Sequence, residues 1–330
     1  MMKKLLTGSV ALVLAVALAG CGANIEDTGN EPDDAGSGLT HIAVGDIKIA
    51  SQTDAYAAQK LGFFEDHGLD VEFTYAANGQ DILTAISSGS LNLGLAIPGT
   101  AMTANASGFD FVGVVQDQIA HEEGPDSGGL IVRTDSGISS LADLEGRSLA
   151  VNATGANQVY VSIVKTLEDA GVDVSKVQFQ EIPFPQMPSV LEQGQVDAVA
   201  VVDPFTTMML SDSAYTDLAW YYVEALPGMP LSTYWGTREW VESHPDEVSA
   251  FNAAMTEAVE YLRANPDEAR DLIAEFTGLD RALLDNMPDI QWSTEVSVET
   301  WEKLIDIYVQ AGLLPEAVEV TDLLTAAALD

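Results

Sequence analysis

The residue types that ordinarily carry catalysis are present in this chain but are not grouped. His41, His67, His121 and His244 are scattered, and none stands in a His-x-x-x-His spacing that would set two imidazoles on one helical face. His121-Glu122-Glu123 has metal-ligand types, but Gly124-Pro125 follows directly, and the segment reads as a solvated loop. The sequence holds no Gly-x-Ser-x-Gly elbow, no P-loop and no Gly-x-Gly-x-x-Gly after a strand. Cys21 is the single cysteine, so neither a disulfide nor a thiolate cluster can form within the chain. No cofactor and no metal is implied.

What remains is the chemistry of non-covalent recognition, written in short polar loops. Ser51 and Gln52 lie in the loop Asp46 to Thr53, and Gly79 and Gln80 follow Asn78. Gly99 and Thr100 follow Pro98, and Asn152, Thr154 and Gly155 frame Ala153. Phe184 to Met187, Asp203-Pro204 and Tyr234-Trp235 complete the set. Hydroxyls and amides donate, glycines let a ligand approach the backbone, and aromatic rings supply a wall. Each has a plainer use: Ser51 and Thr154 as helix caps, Gly79 and Gly99 as turn formers, Trp235 as packing. Asp203, an acid directly after a buried strand, suits either a ligand amine or aminopyrimidine or the cap of a helix begun by Pro204. From Leu61 to Val132 and from Val177 to Thr237 there is no Lys or Arg, which leaves Lys48 as the one base near these loops. A tightly held anion often recruits a guanidinium, so a neutral or cationic heterocycle fits this set as well as an anion does.

Those loops need a scaffold that aims them at one place. From Thr40 onward, apolar strand-like runs alternate with helical patterns, an α/β arrangement. Ile42 to Gly45 starts a strand, and Ser51-Gln52-Thr53-Asp54 fits a capping box opening a helix over Asp54 to Phe64. Val71 to Tyr75 alternates as a strand, Ile82 to Ile86 is helical, and Leu93 to Ile97 is a strand broken by Pro98-Gly99. The paragraph then recurs: Gly68-Leu69-Asp70-Val71 is answered by Gly171-Val172-Asp173-Val174. Gly89-Ser90-Leu91-Asn92 before Leu93 to Ile97 is answered by Gly194-Gln195-Val196-Asp197 before Ala198 to Val202. Two similar lobes follow, with ligand loops beyond the C-terminal ends of their strands, where helix N-termini point N–H groups outward. After Thr237 the chain turns helical, over Glu239–His244, Pro245–Ala264, Pro266–Phe276, Arg281–Met287 and Val298–Ala311, and this tail is expected on the first lobe. The expected division is 40–130 with 231–330 as lobe 1 and 131–230 as lobe 2, joined by a hinge of two crossing strands.

The 330 residues carry 13 Lys+Arg against 51 Asp+Glu, a formal charge of −38. Such a surface repels phosphate backbones and excludes nucleic-acid binding through a basic patch. Lys3 and Lys4 precede an apolar run from Leu5 to Leu18, too short for a comfortable membrane span and suited to a signal peptide over 1–20. It ends at Leu18-Ala19-Gly20-Cys21, which resembles the lipobox of bacterial lipoprotein precursors and implies lipidation of Cys21 and a membrane anchor. Residues 21–39 then read as an acidic tether without an aromatic residue.

The run Ala57-Ala58-Gln59-Lys60-Leu61-Gly62-Phe63-Phe64-Glu65-Asp66-His67-Gly68-Leu69-Asp70-Val71-Glu72 resembles the opening of nitrate/sulfonate/taurine-type periplasmic binding proteins. That family also takes in the binding proteins for thiamine-pyrimidine precursors. Ile138-Ser139-Ser140-Leu141-Ala142-Asp143-Leu144-Glu145-Gly146-Arg147 resembles its next landmark, and Gly194 to Ala198 with Val202-Asp203-Pro204-Phe205 a third. The resemblance runs from about residue 40 to the C-terminus. It implies a two-lobed periplasmic-binding-protein fold that closes on a small molecule. It also implies partnership with an ABC permease and its ATPase, and a monomer facing the periplasm or cell exterior. A competing implication is an enzyme of thiamine-pyrimidine precursor metabolism on the same fold, whose cysteine-rich motif has no counterpart here.

Overall fold

The structure, a computed structural model, describes residues 38–329. The signal peptide, Cys21 and all but the last two residues of the tether lie outside the described residues.

Among the described residues, ten strands form two five-stranded sheets of the same topology. In the first, β1 (Thr40–Asp46), β2 (Leu69–Tyr75) and β3 (Leu93–Ala96) run parallel in the order β2-β1-β3. The antiparallel β10 (Pro230–Thr237) follows β3, and β4 (Phe111–Ile119) forms the far edge. The second sheet repeats this plan: β6 (Ser148–Val151) lies between parallel β7 (Gln178–Glu181) and β8 (Ala198–Val202). Antiparallel β5 (Gly128–Arg133) and then β9 (Tyr215–Trp220) complete it. The repeated apolar runs Leu93 to Ala96 and Ala198 to Val202 thus occupy equivalent central places, which is why both read as uninterrupted buried segments. The chain leaves the first sheet after Ile119 and enters the second at Gly128, and it returns through the helix Tyr221–Ala225 to β10. The expected boundaries at 130 and 231 therefore fall inside β5 and β10.

Helix boundaries correct several local expectations. The helix after β1 spans Thr53–Leu61 and stops at Gly62, whose φ of 87° is left-handed; a second short helix, Phe63–Asp66, follows. No capping box opens it: a 3-10 turn over Ala50–Gln52 leads in, and the Thr53 hydroxyl donates to the Ala50 carbonyl at 2.9 Å. Pro98 begins a helix, Pro98–Ala106, where a break alone was expected, because a proline at the first helical position gives up no needed N–H. Helix Gly79–Ser87 is clamped to the first sheet through glycine: a Cβ on Gly94 would fall 2.3 Å from Ile82 Cγ2.

The tail helices pack on the first sheet. Pro245–Ala264 lies on the helices after β1, with Phe251 stacked on Phe64 at 5.3 Å. Trp301, in helix Val298–Gln310, meets Trp235 at 6.4 Å. The same helix also reaches the second lobe, where the Tyr308 hydroxyl donates to the Ala156 carbonyl at 3.3 Å. Among the described residues, no helix is long and apolar enough to cross a membrane.

Candidate functional site

Between the two sheets opens a cleft of about 830 Å³. Its walls are the loops that leave the C-terminal ends of the parallel strands of both sheets. From the first lobe come Lys48, Ser51 and Gln52 after β1, Gly79 and Gln80 after β2, and Thr100 after β3. From the second come Asn152 and Thr154 after β6, Phe184 after β7, and Asp203 with Phe205 after β8. Two helices begin at the cleft, each with a capped N-terminus. The Asn78 side chain accepts from the Asp81 N–H at 2.9 Å, and the Asn157 side chain accepts from the Tyr160 N–H at 3.3 Å. Ile97, Ile119, Val202, Leu231 and Tyr222 supply apolar wall, and His121, Asp126, Gln158 and Ser232 add further polar groups.

Eight of the eleven loop residues expected at a ligand therefore line one cleft; three do not. Trp235 is fully buried, and its indole N–H donates to the Ala96 carbonyl at 3.1 Å. It is core, held against Trp301, because β10 is flanked on both edges and covered by the tail. Gly99 faces away from the cleft, and a Cβ there would sit 1.9 Å from the Tyr308 hydroxyl. It is glycine so that Tyr308 can approach. Gly155, with φ of 74°, turns the loop on the exposed side. Thr154 caps no helix; its N–H donates to Glu181 at 2.9 Å and its hydroxyl to the same oxygen, which holds the Glu181 carboxyl below the usual range.

Of its two expected roles, Asp203 shows the cap. Its Oδ1 accepts from the Thr207 N–H at 3.0 Å and the Thr207 hydroxyl at 2.8 Å, the cap, while Oδ2 has no partner. Burial pushes this carboxyl up to about 6, against those bonds, with help from nearby Asp126. Asp126, also lining the cleft, is raised by burial as well. Sequence reasoning missed Asp126, because it stands at the entry to an antiparallel strand rather than after a parallel one. It also missed Asn157 and Gln158, although an Asn ahead of an amphipathic run is a helix-start signal.

Behind the first-lobe wall lies a group of three buried acids: Asp46 at the end of β1, Asp54 in the next helix and Asp117 in β4. All are fully buried, and only Asp46 is hydrogen-bonded, accepting from the Ile47 N–H at 2.6 Å. Burial raises each carboxyl, Asp117 to about 7, and mutual repulsion raises Asp46 and Asp54 further. Gln52, Ser232 and Tyr234 surround them. Among the described residues, no group of three or more His, Cys, Asp or Glu is arranged to hold a metal ion.

Two like sheets facing across a loop-lined cleft define the two-lobed periplasmic-binding-protein fold. The chain belongs to the family described as NMT1/THI5 like, whose model matches residues 50–269. It is similar to a Bacillus subtilis protein named for binding aliphatic sulfonates, at 26% identity over 87% of this chain and 82% of that protein. It is also similar to a formylaminopyrimidine-binding protein of Halalkalibacterium halodurans, at 25% identity over 88% and 83%. Among solved structures, the periplasmic aliphatic sulphonate binding protein SsuA of Escherichia coli superposes with a TM-score of 0.71 at 21% identity, covering 86% of this chain and 97% of that one.

Proposed function

We propose that this chain is the extracytoplasmic solute-binding component of an ABC importer, tethered to a membrane by lipid on Cys21. The observation that carries the reading is the cleft itself. It is large enough for a small molecule, walled by aliphatic and aromatic side chains, and set with polar atoms that have no partner within the protein. Ser51, Gln52, Gly79, Gln80, Thr100, Asn152, Thr154 and Asp203 are the residues assigned to the ligand. We assign the first sheet with the tail helices to one lobe and the second sheet to the other, with the segments 120–127 and 221–229 as the hinge. The solute is then carried to a permease and its ATPase, and no covalent step is assigned to the chain. The named relatives bind aliphatic sulfonates and a formylaminopyrimidine, so sulfonate-like and pyrimidine-like solutes are the families from which candidates are drawn.

The test is identification of what the purified protein carries. Denaturation should release one small molecule per chain, detectable by mass spectrometry, and the refolded protein should rebind it unchanged and gain thermal stability by mass action. Conversion of that molecule into a product would favour the enzyme reading. Its failure to rebind would remove the cleft as a solute site.

A further inference from the structure

The second-lobe wall of the cleft has a one-sided hydrogen-bonding character. Four of its side-chain atoms are buried without a partner: Asp126 Oδ2, Asn152 Oδ1, Gln158 Oε1 and Asp203 Oδ2. All four are acceptors. Three of the four side chains are tied down at their other end, which fixes those orientations. Asp126 Oδ1 accepts from the Ser127 N–H at 2.6 Å, Asp203 Oδ1 accepts from Thr207, and the Gln158 amide nitrogen donates to the Pro230 carbonyl at 2.8 Å. Gln158 is 2% exposed, lines the same cleft as the acids, and its unpartnered oxygen is a polar group independent of them.

Carboxylates dominate the charge here, although His121, which also lines the cleft, draws the Asp126 carboxyl down. Asp126 and Asp203 lie close enough to repel one another, and no Lys or Arg of the second lobe lines the cleft. Lys48, the only such base lining it, belongs to the first-lobe wall and sits over the Phe276 ring at 5.6 Å. Phe184 and Phe205, stacked at 6.4 Å, and Tyr222 line the same cleft as the acids. A buried carboxylate oxygen with no donor is costly, and a site that keeps two of them is complete only when a donor arrives. Aromatic rings in the cleft also favour positive charge.

We propose that this wall is a subsite for the head of a small organic cation carrying at least two N–H donors, of the amidinium or ammonium kind. The proposal rests on the solute-binding function and names the class of solute that the site takes. A sulfonate head placed here would meet acceptors and like charge.

Three probes with one ring and different heads decide it: benzamidinium, benzylammonium and benzenesulfonate, titrated calorimetrically into the protein and into Asp126→Asn and Asp203→Asn. Asn at 203 preserves the cap, so that variant should fold even where Asp126→Asn does not. The cations should bind and benzenesulfonate should not, and each variant should weaken the cations by roughly tenfold or more, the loss of a charged hydrogen bond. Benzenesulfonate binding at least as tightly as benzamidinium, no binding of either cation, or cation affinity unchanged in the variants would each overturn the proposal. The solute-binding function fails separately. A sulfonate that binds wild-type protein and compacts it removes the cation assignment and leaves the function, whereas a chain that releases and rebinds no small molecule loses the function.

Discussion

Asp117→Asn should make the protein more stable at neutral and alkaline pH and leave it nearly unchanged in strong acid. Asp117 is fully buried, and burial raises its carboxyl from an ordinary 3.8 to about 7 against the opposing pull of Ser232 and Gln52, neither of which closes a full hydrogen bond to it. Below the unfolded value, both states hold the proton and the group imposes no penalty. As pH rises between the two values, the unfolded chain releases the proton and the folded chain keeps it, so stability falls. Above the folded value the loss is complete. At about 1.4 kcal/mol per pH unit, that interval is worth about 4 kcal/mol as a ceiling. Water entering the acid cluster lowers it, and we expect about 2 kcal/mol. Asn matches the shape of the neutral acid, and its amide can donate to Asp54, whose oxygens also lack partners. Denaturant unfolding of both proteins at pH 5 and pH 8, at one fixed salt concentration, gives the comparison. The variant should be more stable at both, by a smaller margin at pH 5, where little more than a third of the interval from 3.8 to about 7 has been crossed, than at pH 8. An identical pH slope in the two proteins would refute the claim that Asp117 is ionised only at a cost.

Four further outcomes follow from particular contacts and charges. Gly99→Ala should destabilise the fold by about 1–3 kcal/mol, the usual cost of overpacking, because its Cβ would collide with Tyr308; Gly99→Ala with Tyr308→Leu should recover part of that loss in the same melting experiment. Trp235→Phe should lower stability by about 1–3 kcal/mol through lost packing and the lost Ala96 hydrogen bond, while ligand affinity at matched folding stays unchanged. Cys21→Ser should move the protein from membrane pellets to soluble fractions, and unchanged pelleting would contradict the anchor. With a formal charge of −38, the melting temperature should climb as salt is raised from low ionic strength, since screening relieves self-repulsion; a flat salt series would contradict this.

The two-lobed plan was legible because its signals are local. The apolar runs Leu93 to Ala96 and Ala198 to Val202, each set off by a glycine turn, are buried on both sides and announce themselves in sequence. So are the loops that follow parallel strands, which is why Ser51, Gly79, Asn152 and Asp203 reach one cleft. The errors arose where tertiary covering overrides local pattern. Trp235 suits a cleft wall beside Tyr234 as well as packing, and packing prevails because its strand is sandwiched between neighbours and roofed by Trp301, nearly seventy positions away in the chain. Gln116, Asp117 and Gln118, polar residues for which the sequence offered no reading, are buried in β4 under the tail. The Trp301 indole donates to Gln116 Oε1 at 2.9 Å, and the Gln116 amide donates to the Glu295 carbonyl at 2.9 Å. Asp126 could not be found from spacing, because only the crossing of the chain between the sheets brings it beside Asp203.

The central claim is that two lobes hold one solute between them, and small-angle X-ray scattering with and without the co-purifying molecule tests it most directly. The account predicts a smaller radius of gyration when that molecule is bound, as hinge segments 120–127 and 221–229 bring the walls together. Tight binding of one molecule per chain with unchanged dimensions would contradict closure and confine the ligand to a single wall.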